Sequence, residues 1–205
     1  MRGEPVDDDQ TKHQRFAEKR NAGYEKKQAK ATTEKGLVIV NTGTGKGKST
    51  AAFGMALRAI GHGMRGGVVQ FIKGAMATAE RDLLDAYDQV EFHTLGDGFT
   101  WKTQDRDKDV ASAEHAWSVA QRLLGDDAVG LVVLDELNWA LKYEYVDLDA
   151  VLAALAARPS MQHVVITGRN APDRLVDAAD MVNEIRAVKH PYKEQGVKAQ
   201  AGVEF

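Results

Sequence analysis

The chain has 205 residues, of which 43% are hydrophobic and 28% charged, so we expect a single globular domain with a substantial core. It contains no cysteine, which excludes disulfide scaffolds, thiolate zinc sites, iron–sulfur clusters and cysteine nucleophiles. The net charge of −3 is unevenly distributed, because residues 11–35 contain eight Lys and Arg against three Glu.

No apolar run approaches the roughly 20 residues that span a bilayer. The longest apolar runs are Leu37–Val40 and Val129–Leu134. Met1 opens onto the acidic, polar stretch Gly3–Gln10, so we expect no signal peptide. With the lack of cysteine, this pattern is compatible with a cytoplasmic enzyme.

The N-terminal segment differs in composition from the rest of the chain. Residues 1–10 are predicted to be disordered, and residues 11–34 to form a polar helix, because the latter contain no proline and few apolar residues. We therefore separate a basic N-terminal arm, residues 1–35, from a domain at residues 36–205. From charge alone, a solvated tail or surface helix is favoured over contact with nucleic acid or a phosphorylated ligand.

From Gly36 onward, short apolar strands alternate with helices. The predicted strands are Leu37–Val40, Gly66–Ile72, Val90–Leu95, Leu131–Leu134, Val164–Gly168 and Met181–Val188. The predicted helices are Ser49–Ile60, Ala79–Ala86, Asp107–Leu124, Leu148–Ala157 and Pro172–Ala179, with a turn at Gly96–Gly98. Strands that are apolar on both faces predict an α/β fold with a mostly parallel sheet flanked by helices.

The strongest local signal is the segment Thr-Gly-Thr-Gly-Lys-Gly-Lys-Ser-Thr at residues 42–50, between the first predicted strand and its helix. A phosphate-binding loop needs glycines that let backbone N–H groups turn toward oxygen atoms, a helix N-terminus, a lysine and a hydroxyl for magnesium. Gly47, Lys48 and Ser49 meet these needs in the required strand–loop–helix order. The segment therefore predicts a nucleotide site.

The loop departs from the usual pattern G-x-x-x-x-G-K-[ST], because Thr42 occupies the position of the first glycine. Lys46 adds a second lysine inside the loop. The Cβ atom of Thr42 and the added charge indicate that this loop holds polyphosphate differently from an ordinary nucleotide hydrolase. A nucleotide site is predicted, but hydrolysis is not.

Two carboxylates, Asp135 and Glu136, follow the most hydrophobic predicted strand. The carboxyl end of a buried parallel strand faces the crevice where α/β proteins bind ligands, and a carboxylate there can hold magnesium directly or through water. Capping of the next helix is the structural alternative. Glu136 would polarise water in a hydrolase, which is one of several roles open to it here.

Further motifs occur in order along the chain. They are residues 42–54, Val69–Gly74, Gly98–Trp101, Leu134–Leu137, Ile166–Arg169, Val188–His190 and Gly196–Gly202. Together they resemble the P-loop class of ATP:corrinoid adenosyltransferases, which act on cob(I)alamin or cob(I)yrinic acid a,c-diamide. The resemblance covers about Gly36 to Phe205 and is weaker in the basic arm. The altered phosphate loop is itself the family's pattern.

The resemblance implies a P-loop NTPase-like (RecA-like) fold and transfer of the 5′-deoxyadenosyl group of ATP. The Co(I) centre of a reduced corrinoid attacks C5′, triphosphate leaves, and a cobalt–carbon bond forms. Mg²⁺ or Mn²⁺ is the implied metal. The implied ATP-binding residues are Thr42, Gly43, Thr44, Gly45, Lys46, Gly47, Lys48, Ser49 and Thr50.

More specific roles follow for some of these positions from the same resemblance. Lys48 neutralises charge on the leaving triphosphate, and Ser49 ligates the metal. Asp135 and Glu136 serve the metal or the ribose, and Glu136 is also a catalytic candidate. ATP lies in the loop in the reverse of its usual sense.

Phe99 and Trp101 follow a Gly-Asp-Gly turn, and read alone they favour a buried core pair. In the family, the matching aromatic residues form an apolar wall beneath the corrin and keep the lower cobalt ligand away, which eases reduction of Co(II). The resemblance therefore implies this role for Phe99 and Trp101.

The resemblance also implies that residues 1–35 form a lid over a corrinoid site. It implies a homodimer, a reduced flavoprotein such as flavodoxin as electron donor, a cytoplasmic location, and no nucleic-acid or membrane partner. The residues alone leave two alternatives open. One is a P-loop ATPase or kinase, and the other is a nucleotide-binding regulatory module whose basic arm contacts nucleic acid.

Overall fold

A computed structural model of the chain describes residues 8–72, 79–95 and 106–204. The chain divides between Glu34 and Lys35 into two compact units. Among the described helices, none combines the length and the apolar character needed to cross a membrane.

The first unit contains one long helix, α1, Asp8–Gln28. Because α1 begins at Asp8, the predicted disorder of residues 1–10 is wrong for residues 8–10. The helix also ends before residue 34, since turns at Lys30 and Ala31 close it and the β-branched pair Thr32 and Thr33 follows. Lys26 and Lys27 lie in its last turn, where positive charge is favourable.

In the second unit, the described residues form a parallel sheet of six strands. The strands are β1 Val38–Thr42, β2 Arg65–Gln70, β3 Val90–Thr94, β4 Val129–Asp135, β5 His163–Thr167 and β6 Met181–Glu184. Their order across the sheet is β3-β2-β4-β5-β1-β6, and every neighbouring pair is parallel.

Helices cover both faces of this sheet. The described helices of this unit are α2 Lys48–Gly61, α3 Ala79–Asp85, α4 Arg106–Leu124, α5 Leu137–Lys142, α6 Leu148–Ala157, α7 Asp173–Ala178 and the exposed α8 Pro191–Gln195. One buried cluster joins Val40 and Val132 to α4 and α6, and the other joins Ile39 and Val133 to α2 and α3. Successive strand residues point to opposite faces, which explains why adjacent positions enter different clusters.

These features confirm the predicted α/β class with a parallel sheet flanked by helices. The predicted helices and strands of this unit occur within two residues at each end, except the last strand. That strand ends at Glu184 instead of Val188, because the next residue, Ile185, leaves the sheet edge and crosses the loop after β1. The sequence pattern did not indicate the short helices α5 and α8, and the predicted turn at Gly96–Gly98 lies outside the described residues.

The strands share one property at their carboxyl ends. The last residue of each is polar, and in sheet order these residues are Thr94, Gln70, Asp135, Thr167, Thr42 and Glu184. Since all six strands run in the same direction, these side chains share one edge of the sheet. Asp135, one of the candidate residues predicted from sequence, lies at this edge, and the predicted phosphate loop begins there at Thr42.

Candidate functional site

The loop between β1 and α2 is covered by the chain that follows β6. The Ile185 N–H donates to the carbonyl of Thr42 at 2.8 Å, and the Gly45 N–H donates to the carbonyl of Ile185 at 2.7 Å. Gly43 has φ = 99°, and a Cβ atom there would lie 2.5 Å from the Ile185 carbonyl oxygen. Only glycine fits this position, because both the backbone angle and the space exclude a side chain.

Thr42, the residue that departs from the usual loop pattern, has a structural contact. Its hydroxyl accepts a hydrogen bond from the Ala171 N–H at 3.2 Å, which joins the end of β1 to the segment after β5. The strand–loop–helix geometry on a parallel sheet confirms the P-loop NTPase-like fold.

A cavity of about 670 Å³ opens at this edge of the sheet. Its lining residues come from the phosphate loop, from helices α2, α3 and α5, from the ends of β2, β4 and β5, and from the last described residues of the chain. They are Gly45, Lys46, Gly47, Lys48, Ser49, Thr50, Phe53, Gln70, Ile72, Glu80, Asp135, Glu136, Trp139, Lys142, Arg169, Asn170, Val203 and Glu204. The structure thus brings the predicted residues 45–50 together with both predicted carboxylates. Thr42, Gly43 and Thr44 are not among the lining residues, and Phe99 and Trp101 lie outside the described part of the chain.

Lys48, the first residue of α2, is buried, and its ammonium group donates to the carbonyl of Gly45 at 2.6 Å. Burial lowers the pKa of Lys48, and the cations Arg169 and Lys46 lower it further. Glu136 and Asp135 act in the opposite direction. A polyanion in the cavity would favour the charged form of this lysine.

Lys46, the additional lysine of the loop, forms an ion pair with Glu204. The distance from its Nζ atom to the Glu204 Oε2 atom is 2.6 Å, and the lysine side chain is half exposed. The negative partner of Lys46 therefore comes from the C-terminal region of the chain. A phosphate group that approaches Lys46 would compete with that carboxylate.

Asp135 is held on both sides of its carboxylate. Its Oδ1 atom accepts a hydrogen bond from the Thr167 hydroxyl at 2.7 Å, and its Oδ2 atom accepts one from the Gln70 amide at 3.1 Å. The side chain is buried. Asp135 is therefore fixed at the floor of the cavity.

Glu136 lies at the N-cap position of α5, with φ = 59° in the left-handed region, but its side chain makes no capping hydrogen bond. Burial raises the pKa of Glu136, and the neighbouring Asp135 adds to this effect. Lys48 and Arg169 oppose it. Capping of α5 therefore does not explain why a glutamate occupies this position.

Four residues at this edge were missed as site residues: Gln70, Asn138, Thr167 and Arg169. Asn138 is fully buried, and its amide donates to the Gly168 carbonyl at 2.9 Å. Gly168 has φ = 129°, and a Cβ atom there would lie 2.8 Å from the Cβ atom of Asn138. The available signal was position, because polar residues at the carboxyl ends of parallel strands face the ligand crevice.

The oxygen ligands at this edge fit a magnesium or manganese ion that binds together with a phosphate group. The hydroxyl of Ser49 and the carboxylates of Asp135 and Glu136 offer the oxygen atoms that these ions prefer. Among the described residues, no cluster of three or more His, Cys, Asp or Glu could hold a metal by itself. Such a site needs oxygen atoms from phosphate and water, which is the usual arrangement for Mg²⁺.

Residues 34–205 match the family model described as ATP:corrinoid adenosyltransferase BtuR/CobO/CobP. The corrinoid adenosyltransferase of Pseudomonas aeruginosa is 54% identical over 95% of this chain and 96% of the relative. That of a Sinorhizobium species is 53% identical over 98% of this chain and 95% of the relative. That of Escherichia coli K12 is 46% identical over 96% of this chain and 97% of the relative.

Domain III of the Thermotoga maritima replication initiation protein DnaA is a distant structural match. It is 13% identical, with a TM-score of 0.39, over 77% of this chain and 57% of that structure. A TM-score this low does not establish a shared fold. The fold class is established by the strand order and the phosphate loop.

The raised pKa of Glu136 predicts how its charge affects stability. Glu136→Gln is expected to raise the unfolding temperature of the ligand-free protein at about pH 8, because the buried charge that opposes folding is removed. The destabilisation by the buried charge of Glu136 is complete at pH values above its raised pKa in the folded protein, and it disappears below the ordinary glutamate pKa of about 4.3. The gain should therefore vanish near pH 4, measured by scanning calorimetry across this range.

Glu114→Gln, at an exposed position on α4, is the matched control and should leave the unfolding temperature unchanged. A gain for Glu136→Gln that is constant with pH would contradict the charge explanation. A loss of stability at the alkaline end would contradict it as well.

Proposed function

This chain belongs to the family of ATP:corrinoid adenosyltransferases, and from that premise we infer that its reaction takes place in the cavity between the phosphate loop and the two carboxylates. The protein transfers the adenosyl group of ATP to a corrinoid. One observation carries the choice of cavity: a buried lysine at a helix N-terminus faces two carboxylates at the carboxyl edge of a parallel sheet. This is a site for a phosphate group and its metal.

In the proposed reaction, the cobalt atom of the Co(I) corrinoid attacks C5′ of ATP. A cobalt–carbon bond forms while the bond from C5′ to the triphosphate oxygen breaks, and triphosphate leaves with the electron pair of that bond. The nucleophile belongs to the substrate, which is consistent with a chain that contains no cysteine. The protein's task is to orient ATP and to stabilise the leaving group.

Residues 45–50 of the phosphate loop bind the triphosphate. Lys48 places its ammonium group close to the charge that develops on the leaving oxygen, and burial strengthens that interaction. Thr42, Gly43 and Thr44, which the sequence also assigned to ATP, support the loop from behind, since Thr42 contacts Ala171. Thr42 in place of the first glycine of the usual loop pattern supports the proposal that ATP lies in the reverse of the usual sense.

Ser49, Asp135 and Glu136 would hold Mg²⁺, or Mn²⁺ in its place. The ion, when bound with ATP, neutralises charge on the triphosphate. Asp135 and Glu136 also act to raise the pKa of Lys48, which favours the charged form of its ammonium group against the effect of burial.

Phe99 and Trp101 are proposed to form the apolar wall beneath the corrin. The motif Gly98–Trp101 supports this role through its resemblance to the family pattern. An apolar wall would exclude an axial ligand from the cobalt of the substrate. The orbital that accepts the extra electron then stays lower in energy, so Co(II) is easier to reduce.

The basic arm is proposed to act as a lid over the corrinoid. The arm and the main domain are separate compact units, and α1 carries exposed Phe16 and Tyr24. The assembly as a homodimer, the cytoplasmic location and a reduced flavoprotein as electron donor are further proposals, supported by the family relationship.

Product analysis tests the proposed function. With ATP, Mg²⁺ and chemically reduced Co(I) corrinoid, the protein is expected to form adenosylated corrinoid and triphosphate in equal amounts, measured by absorption spectroscopy and ion-exchange chromatography. Lys48→Met should lower kcat about 10²- to 10³-fold, because a preorganised charge at the leaving group is lost. Lys193→Met, at an exposed position on α8, is the control and should retain activity.

Other products would support other functions. ADP and phosphate would indicate an ATPase or a kinase. No turnover, together with nucleic-acid binding that weakens as salt increases, would indicate a regulatory module.

The aromatic wall predicts a dependence on the reductant. The double variant Phe99→Ala, Trp101→Ala should lose most activity when reduced flavodoxin supplies the electron, because Co(II) that keeps its lower ligand is harder to reduce. Activity should be largely restored when a strong chemical reductant supplies Co(I). An equal loss in both assays, measured by the rate of product formation, would contradict this role.

The lid proposal predicts that deletion of residues 1–34 weakens corrinoid binding and leaves ATP binding unchanged, because the phosphate loop lies in the other compact unit. Calorimetric titration measures both affinities, and circular dichroism verifies that the shortened protein is folded. Unchanged corrinoid affinity would contradict the lid.

A further inference from the structure

Thr167 contacts both carboxylate residues of the site through one hydroxyl group. It is the last residue of β5 and is fully buried. Its hydroxyl donates to the Asp135 Oδ1 atom at 2.7 Å and accepts from the backbone N–H of Glu136 at 2.9 Å. A hydroxyl has one proton to donate and lone pairs to accept, so both bonds can exist at once.

The second oxygen atom of Asp135 belongs to the same network. It accepts from the Gln70 amide at 3.1 Å, and the amide oxygen of Gln70 accepts from the Thr94 hydroxyl at 3.1 Å. The chain of hydrogen bonds thus crosses the ends of β3, β2, β4 and β5, which are neighbours in the sheet. Asp135 is anchored through both oxygen atoms.

Glu136 is held differently. Its backbone has φ = 59°, a conformation that residues other than glycine adopt infrequently and that the surrounding structure must maintain. The bond from its N–H to Thr167 and the bond from the Trp139 N–H to its carbonyl maintain it here. Among the described residues, its carboxylate has no hydrogen-bond partner and lines the cavity near Lys48 and Arg169.

We propose that Thr167 is a positioning residue that sets the place of both carboxylates toward the bound nucleotide and its metal. It orients Asp135 directly, and it orients Glu136 by fixing the backbone from which that side chain projects. Asp135 is then the immobile partner, and Glu136 is the carboxylate that responds to the ligand. This inference rests on the proposed function.

A purely structural role for Thr167 makes a different prediction. A buried hydroxyl that only satisfies a buried carboxylate would affect stability and leave the metal dependence of nucleotide binding unchanged. A positioning role instead affects the part of ATP affinity that depends on Mg²⁺, because that part needs both carboxylates in place.

The experiment compares Thr167→Val, which keeps the shape and removes both hydrogen bonds, with Thr167→Ser, which keeps the hydroxyl. ATP affinity of the full chain is measured by calorimetry without corrinoid, once with Mg²⁺ and once with a chelator. Thr167→Val should weaken binding about 10- to 100-fold with Mg²⁺ and leave binding in chelator unchanged. Thr167→Ser should match the wild type in both.

Activity gives a second measurement. Thr167→Val should lower kcat about 10- to 100-fold with little change in the KM for corrinoid, because the proposed role of both carboxylates is toward the nucleotide and its metal. Ile166→Val, the preceding buried residue of β5, is the control for a small loss of packing and should keep wild-type kcat and Mg²⁺ dependence.

The outcomes separate this inference from the proposed function. Thr167→Val with wild-type Mg²⁺ dependence, or with equal losses in Mg²⁺ and in chelator, would overturn the positioning role. Failure of Thr167→Ser to restore the wild-type values would overturn it too. A wild-type protein that binds ATP with the expected Mg²⁺ dependence but forms no adenosylated corrinoid would overturn the proposed function.

Discussion

The ammonium group of Lys48 is held away from water, and the arrangement of the site follows from that constraint. A buried cation is unfavourable unless acceptors and opposite charges surround it. The carbonyl of Gly45 accepts its hydrogen bond, and Asp135 and Glu136 supply the negative charge. Since Glu136 is itself unfavourably buried, the lysine and the glutamate each make the charged form of the other more favourable.

The parallel sheet makes this concentration of polar groups compatible with an apolar core. The four strands β1, β2, β4 and β5 are largely buried, and all six strands end in a polar residue. The charged and hydrogen-bonding groups therefore meet at one edge, while the middle of the sheet stays largely apolar. The same geometry lets a single hydroxyl, that of Thr167, reach the strand beside it. The segment after β6 then covers the loop from the other side, which is why Gly43 has no room for a side chain.

The sequence predicted those features that depend on local pattern. The strands and longer helices follow from periodicity, and the phosphate loop follows from Gly47, Lys48 and Ser49 in their strand–loop–helix context. Contacts between distant segments were not predictable in this way. Gln70 meets Asp135 across 65 residues because β2 and β4 are neighbours in the sheet. Lys46 meets Glu204 across 158 residues because the C-terminal segment returns to the phosphate loop. The roles proposed for Phe99 and Trp101 rest on a family resemblance, because the residue pattern alone favours a core pair.

The place of β1 in the sheet has a consequence for folding. This strand is the first of the main domain to be synthesised, yet its neighbours are β5 and β6, and Leu37 contacts His163 across 126 residues. Contacts across such separations form slowly, because the entropy cost of closing a long loop must be met before the contacts stabilise the chain. During translation, β1 therefore stays unpaired until β5 and β6 have been synthesised, and its exposed apolar surface favours aggregation in that interval. The capacity to bind a nucleotide appears only after nearly the whole chain has emerged, so ligand binding would report completed folding more faithfully than helix content does.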